Sequence, residues 1–411
     1  MQLFEVRSVA EVLALIEREF APLEREAERV PLEEAAGRVL AEELAAPENV
    51  PGFDRSTVDG YAVRAAETTG ASESLPAMLK LAGAVAMGRA AERPLGPGEA
   101  VYVPTGAMLP PGADAVAMIE HVEELDDLVN VLRPVAPGEN VIRRDEDLRA
   151  GEPLLPPGHR LRVQDLAALA AAGRSEVPVR PRLGVAVLST GDEVRPATSP
   201  HLEPGEVRDV NGVTLSAAAR ADGARVRYAG IVPDDEAELA RRAAALLAEN
   251  DVLLLSGGSS VGTKDMTERV IAGLGRPGVL VHGVALHPGK PALLARIGEK
   301  AVVGLPGHPV SALLIYHLFV RPILARLDGE RPRPPRPLWR ARLARNLASH
   351  PGESTYVRIR LVEREGELWA EPVFGKSGLV GTLLEADGFL AIPPEREGFR
   401  QGETVEVFPL V

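Results

Sequence analysis

The apolar positions of this chain follow two rhythms. One is the short unbroken run, clearest in Asp251-Val-Leu-Leu-Leu-Ser256, which reads as a strand buried on both faces of a parallel sheet. That run ends in Gly257, Gly258, Ser259, Ser260 and Gly262, then passes Lys264 and Asp265 into a helical pattern. Residues 183–188 form a second such run, ending in Ser189-Thr190-Gly191-Asp192-Glu193. Around these two, the pattern predicts a helix capped by Asn211 and running through Ala221. A strand over 224–232 follows, then a helix opened by Pro233-Asp234-Asp235, a strand over 281–286 and a hairpin pair over 292–303. Leu305-Pro-Gly-His-Pro-Val-Ser311 leads into a last helix. Strands alternating with helices imply right-handed crossovers and a mostly parallel, doubly wound sheet.

The other rhythm is helical. Ser8-Val-Ala-Glu11 has the form of a capping box opening a helix in which Val12, Leu13, Ile16 and Phe20 share a face. A second helix is expected from Pro31, carrying Leu32, Ala35, Val39 and Leu40, and an alanine-rich one over 161–172 is ended by Gly173. From Asn49 the texture changes to turn formers and short alternating segments. These include 99–103 and 114–119, on either side of a loop that Thr105 opens; Asp59-Gly60 reads as a turn into the strand Tyr61-Ala-Val63. Residues 141–148, with Asp147 among five charges, have the pattern of a solvated face. Beyond the proline-rich linker Arg331-Pro-Arg-Pro-Pro-Arg-Pro337, alternating segments near 355–361, 367–372 and 404–408 describe a small β-barrel or sandwich.

The expected architecture is therefore multi-domain, α/β plus β. A helix-containing unit is built from 1–50 and 141–178, with a small β-rich insertion at 51–140. An α/β sheet domain over 179–328 and, after a linker at 329–337, a β domain over 338–411 complete it. With 411 residues and about 150 per domain, two to four units are expected. A 45% hydrophobic, 26% charged composition is that of a folded soluble chain. No apolar run nears eighteen residues, and the N-terminus lacks the basic-then-apolar order of a signal peptide, so a cytoplasmic protein without a membrane span is expected.

The absence of cysteine removes thiolate nucleophiles, disulfides and cysteine-held metals. A net charge of −13 argues against nucleic acid as the main partner. Positive charge is almost all arginine, and two of the five lysines, Lys264 and Lys290, flank the glycine-rich stretch.

A glycine-rich turn between strand and helix gathers backbone N–H groups at the positive end of a helix, where phosphate binds. It is not a Walker loop, because Thr263 and not lysine follows Gly262. Gly258-Ser-Ser-Val-Gly262 does fit the nucleophile elbow of a serine hydrolase, with Ser260 as nucleophile. The acid and histidine of such a triad are wanting, since none of His282, His287, His308, His317 and His350 follows a clear Asp-bearing strand end. The plain structural reading is a tight turn only. Asp192, Glu193, Asp234, Asp235 and Asp265 all fall after strands or in first helical turns. Singly they read as helix caps; together, beside a glycine-rich loop and Lys290, they supply the oxygen ligands Mg²⁺ prefers.

These stretches, in this order, resemble the molybdopterin molybdenumtransferase family, which is related to the C-terminal domain of gephyrin. The resemblance is carried by Thr57-Val-Asp-Gly-Tyr-Ala-Val63, Pro104-Thr-Gly-Ala107 with Gly112-Ala-Asp-Ala-Val116, and Arg143-Arg-Asp-Glu-Asp147. It continues through Ser189-Thr-Gly-Asp-Glu193, Ser256-Gly-Gly-Ser-Ser-Val-Gly262 with Asp265, and Leu305-Pro-Gly-His-Pro-Val-Ser311. It spans nearly the whole chain.

The resemblance implies an elongated discontinuous domain, a small inserted β domain, an adenylyltransferase-like α/β domain and a C-terminal β-barrel. It implies a homodimer in which each active cleft is shared between subunits. Transient contacts with a molybdopterin adenylyltransferase and with molybdoenzyme delivery factors are also implied. The implied reaction takes adenylylated molybdopterin and molybdate, cleaves the phosphoanhydride with Mg²⁺, and releases AMP and molybdenum cofactor.

Carried over by position, Asp59, Thr105, Asp147, Glu193, Asp234 and Asp265 are the implied catalytic set, with Glu193, Asp234 and Asp265 toward the cation. Gly257, Gly258, Ser259, Ser260, Gly262, His287, Lys290, Pro306, Pro309 and Thr382 are the implied substrate contacts. Competing readings are a non-catalytic molybdopterin-binding scaffold, a molybdopterin adenylyltransferase and, remotely, the Ser260 hydrolase. The chain departs from the family at two positions, where His287 and Gly283 stand in place of lysines, so two fixed positive charges are missing. His287→Lys is expected to lower the Michaelis constant for molybdate above pH 7; an unchanged constant would place His287 outside the anion site.

Overall fold

The computed structural model describes residues 6–257, 261–332, 337–349 and 351–410, without the side chains of residues 261–265. Its centre is a six-stranded sheet in the order Arg225–Val232, Gly184–Thr190, Val252–Ser256, Lys300–Leu305, Leu293–Ile297 and Pro277–His282. The first four strands are parallel, as their apolar runs predict. The last two are antiparallel, because a hairpin returns the chain immediately and leaves no room for a crossover. The sheet is thus mixed, and its last strand begins at Pro277, four residues before the expected start.

One face of this sheet packs on helices Val210–Ala221 and Pro309–Ile315 with Arg321–Leu327, the other on helices Glu236–Glu249 and Val261–Gly273. The N-terminal helix Val9–Glu19 forms with its capping box: Glu11 N–H donates to Ser8 Oγ at 3.2 Å and Ser8 N–H to Glu11 Oε2 at 2.7 Å. Its apolar face, Val12, Ile16 and Phe20, is buried in the same core as Val185 and Leu254. That helix therefore packs with the α/β layer, whereas the sequence placed it in the elongated unit.

Residues 309–327 form one continuous helical rod of 19 residues, long and apolar enough by composition to cross a membrane. This corrects the expectation that no apolar run nears eighteen residues. The rod is a core helix, with Tyr316, Phe319, Val320 and Ile323 fully buried against the sheet. A π turn at Tyr316–Val320 interrupts it just before Pro322, where the missing N–H cannot continue an α-helical ladder.

The second helix expected from Pro31 does not form. Glu28–Pro31 is a strand paired with Glu176–Val179, and only a 3₁₀ turn, Leu32–Glu34, follows. Val39 and Leu40 are held by bridges to Arg160 and Val179. Leu40, with Leu32 and Ala35, reaches the small core around Leu161 and Leu169 from extended chain and turn, so tertiary pairing overrides the helical spacing. The helix Val163–Ala171 does form, with Gly173 just past its end at φ +77.

A six-stranded sheet in the order Ala115–Met118, Gly60–Val63, Glu99–Val103, Ala77–Ala84, Leu128–Val131 and Val122–Leu125 makes the inserted β unit. The C-terminal part is a closed five-stranded barrel. Ser354–Arg364 pairs with Glu367–Val373 and with Gly388–Ile392, and Trp339–Leu343 and Thr404–Pro409 complete the ring. Closure removes every free edge from this small sheet.

A half-buried ionic joint ties the 158–161 segment to the end of the last helix. Arg160 Nη2 lies 2.8 Å from Glu330 Oε2 and 3.7 Å from Asp328 Oδ2, while its Nη1 donates to the Gly37 carbonyl at 2.7 Å. Burial pushes the Asp328 carboxyl up from 3.8 to about 6, against the pull of Arg160 and Arg180. The folded protein therefore holds this proton more tightly than the unfolded chain. The stability contributed by the group is fully present below pH 3.8 and is lost as the pH rises to about 6. Wild type is expected to lose up to about 3 kcal/mol relative to Asp328→Asn across that interval. Thermal unfolding of both from pH 4 to 7 measures this, and parallel curves would contradict it.

Candidate active site

The Val252–Ser256 strand is buried along its length, so its backbone pairs with its neighbours and its side chains fill two apolar layers. Chemistry can begin only after Ser256. Gly257 follows with φ +148, and a Cβ there would lie 2.3 Å from the Thr190 carbonyl oxygen, so only glycine lets the turn pass so close. Gly258, Ser259 and Ser260 lie outside the described residues, as do the side chains of Lys264 and Asp265, while Gly262 falls within the first turn of the following helix. The chain resumes as helix Val261–Gly273, so a helix N-terminus follows the glycine turn as the strand-turn-helix pattern requires.

Beside this turn stand the acids that end the two neighbouring strands. Asp235 is the N-cap of helix Glu236–Glu249, accepting from Glu238 N–H at 2.7 Å. Asp234 faces the strand ends instead: Thr190 Oγ1 donates to its Oδ1 at 2.9 Å, and its own N–H donates to Asp192 Oδ1 at 3.1 Å. The two acids, adjacent in sequence, thus have separate work. Glu193 is exposed. Among the described residues neither the Glu193 carboxylate nor the second oxygen of Asp234 has a hydrogen-bond or cationic partner. Such carboxylates are suited to a hard cation. No three acids or histidines among the described residues are gathered closely enough to hold one unaided, and the expected third acid, Asp265, is outside that set.

Asn211 was expected to cap its helix. The cap is Asp209, which accepts from Gly212 N–H at 2.8 Å. Asn211 instead lies in the first turn and is 5% exposed. Its Nδ2 reaches Ser256 Oγ at 2.8 Å and the carbonyls of Gly307 and Pro306 at 3.0 and 3.3 Å. Pro309 occupies the first position of its helix, where no N–H is needed.

Pro306, Gly257, His287 and Lys290 line a cavity of about 300 Å³, whose opposite wall is formed by Glu353 and Ser377. This cavity lies along a seam between the α/β layer and the barrel. The seam is held by strand pairing of Leu286 with Ser354 and His287 with Thr355, and by His308 Nδ1 and Ser377 Oγ at 2.8 Å. It is also crossed by Lys290, whose Nζ donates to Glu353 Oε1 at 2.6 Å. Lys290, expected to offer a free positive charge, therefore has its charge matched by Glu353. Sequence reasoning missed Glu353, Ser377 and Asn211. His308 stood inside the quoted Leu305 to Ser311 motif without a role.

Asp59 and Thr105 form a pair of their own in the inserted β unit. Thr105 N–H and Oγ1 donate to Asp59 Oδ1 at 2.7 and 3.0 Å. The backbone bond first, then the hydroxyl, holds the Asp59 carboxyl below its ordinary value. Asp147 is exposed, fixed by its backbone N–H to the Val50 carbonyl at 3.1 Å. Among the described residues no hydrogen bond or ion pair joins these three to the cavity within one chain. Thr382 is buried, and its hydroxyl donates to the Leu379 carbonyl at 2.6 Å, so its polar end is occupied internally.

Comparison with known proteins matches the chain over three segments. Residues 7–173 match the MoeA N-terminal region (domain I and II), 186–326 a probable molybdopterin binding domain, and 340–410 the MoeA C-terminal region (domain IV). The molybdopterin molybdenumtransferase of Synechococcus elongatus is 34% identical over 98% of this chain and 99% of its own. That of Bacillus subtilis is 34% identical over 89% and 85%. Among solved structures, a molybdopterin biosynthesis moeA protein from Pyrococcus horikoshii superposes with a TM-score of 0.84 at 32% identity, covering 98% of this chain and all of that one.

Because an exposed ion pair contributes at most about 1 kcal/mol, an anion can displace Glu353 from Lys290 at modest cost. Glu353→Gln is expected to tighten binding of sulfate, a stable tetrahedral dianion, about two- to fivefold by titration calorimetry, and Lys290→Gln to abolish it. Unchanged binding in Glu353→Gln would show that the pair does not compete for the anion.

Proposed function

The chain belongs to the MoeA family of molybdopterin molybdenumtransferases, enzymes that insert molybdenum in molybdenum cofactor biosynthesis, and from that premise we propose how its own residues divide the work. The substrates are adenylylated molybdopterin and molybdate. The phosphoanhydride is cleaved, AMP leaves, and molybdenum stays on the pterin. The observation carrying this reading is the convergence of a glycine turn, a helix N-terminus and cation-free carboxylates at the carboxyl ends of parallel strands, where such sheets bind ligands.

The turn after Ser256 and the N-terminus of helix Val261–Gly273 hold the phosphates through backbone N–H groups. Glu193 and Asp234, together with Asp265, hold Mg²⁺, which when bound neutralises charge on the phosphates. Thr190 Oγ1 orients Asp234 by occupying one carboxylate oxygen and leaving the other free. Lys290 and His287 take the oxyanion side of the cavity, with Lys290 released from Glu353 on binding. Asp59, with Thr105, and Asp147 make only local contacts in their own chain. They are assigned to the cleft of a second subunit in a homodimer.

AMP release from adenylylated molybdopterin with Mg²⁺ tests this, run with and without molybdate. Release is expected to require molybdate and to fall at least a hundredfold in Asp234→Asn, with Asp235→Ala losing about 1 kcal/mol of stability and little rate. Binding without any AMP release would instead identify a molybdopterin-binding scaffold.

A further inference from the structure

We propose that Asn211 is a positioning residue that sets the height of the Pro306–Gly307 turn against the Ser256 end of the neighbouring strand, and so fixes the width of the substrate cavity. The inference rests on the cavity being the substrate site. Ser256 and Leu305 end neighbouring parallel strands, directly opposite one another. Past them, among the described residues, the ladder continues only through Gly257 N–H to the Leu305 carbonyl, at 3.3 Å. The Pro306 and Gly307 carbonyls would be left unpaired at this point, and Pro306 has no N–H to offer in return. One buried amide group meets the need. The two protons of Asn211 Nδ2 are shared among Ser256 Oγ and both carbonyls, at 2.8, 3.3 and 3.0 Å. The amide orientation is forced, because an oxygen in that place would face two carbonyls.

The residue is itself held rigidly. Asp209 caps the helix through Gly212 N–H and also accepts from Tyr228 Oη at 2.7 Å, so the edge strand braces the cap. Gly212 has no room for a side chain: a Cβ would lie 2.3 Å from Asp209 Oδ2 and 2.4 Å from the Tyr228 ring. This locks the first helical turn, and Asn211 with it. Among the described residues the buried amide oxygen of Asn211 has no partner, a cost that folding alone does not require. A leucine of similar shape would bury no such orphan, so the amide is explained by its donors, which tie the strand end at Ser256, next to the cavity-lining Gly257, to the Pro306–Gly307 turn that lines the same cavity.

The test uses the full chain and two readouts. In ligand-free protein, hydrogen exchange of the peptide covering 305–311 is expected to quicken at least tenfold in Asn211→Leu, with the Gly60–Val63 strand unchanged. Binding of adenylylated molybdopterin is expected to weaken at least tenfold in the same variant. Asn211→Asp is expected to bind poorly at pH 8 and to recover toward wild type as the pH falls to 6, because a protonated carboxyl regains a donor for the carbonyls; a residue needed only for folding would show no such recovery in affinity. Unchanged exchange at 305–311 overturns the bracket. Faster exchange with unchanged affinity overturns its role in the site. Should Asn211→Leu fail to fold, the pH dependence of Asn211→Asp decides alone. If wild type itself does not bind the probe, the assignment of the cavity fails, while exchange at 305–311 still decides whether the bracket exists.

Discussion

Burial of the Val252–Ser256 strand on both faces is the constraint from which the rest follows. Leu253, Leu254 and Leu255 are almost wholly removed from water, on alternating sides of the sheet. Each contributes on the order of 2 kcal/mol by leaving water. A strand so placed can carry no polar side chain along its length, and its backbone groups are all committed to the neighbouring strands. Polar function is therefore exported to the carboxyl end, where Ser256, Thr190 and the Pro306 turn meet.

At that end a single plane of hydrogen bonds organises several elements. Thr190 holds Asp234, Asp192 accepts from the same residue's backbone, and Asn211 joins Ser256 to the turn after Leu305. The donors belong to a strand, a helix and the loop between two elements, so the site is rigid because the core beneath it is packed. The opposite wall belongs to the barrel and is joined by two strand-paired residue pairs, by Val310 N–H to the Ser377 carbonyl, by one histidine–serine bond and by one exposed ion pair, with Phe389 packed into the α/β core. The cavity thus has two packed walls, and the exposed ion pair is the contact that a charged ligand can exchange.

Much of the α/β layer was legible from residues alone because its strands need unbroken apolar runs and its turns need glycine. The inserted sheet was legible from alternation and turn formers. Spacing misled at Pro31, where Leu32, Ala35, Val39 and Leu40 fit a helix equally well as a pattern but pair as extended chain with residues 176–179 and 160. The last helix, expected after Ser311, does form, and it runs through the buried rod Pro309–Leu327. Local periodicity cannot see a partner strand more than a hundred residues away.

The amino-acid sequence by itself determined the order of strands and helices, the glycine turn after Ser256, the acids at strand ends and the family resemblance. Each depends on residues close together along the chain. Only the tertiary structure decided that Asp235 caps while Asp234 faces the site, that Lys290 meets Glu353, and that Asn211 leaves its helix cap to bridge a strand end and a turn. The physical reason is that a hydrogen bond or ion pair is chosen by distance and burial. Residues separated by 45 to 95 positions, as Asn211 is from Ser256 and Pro306, acquire those only when the core brings them together.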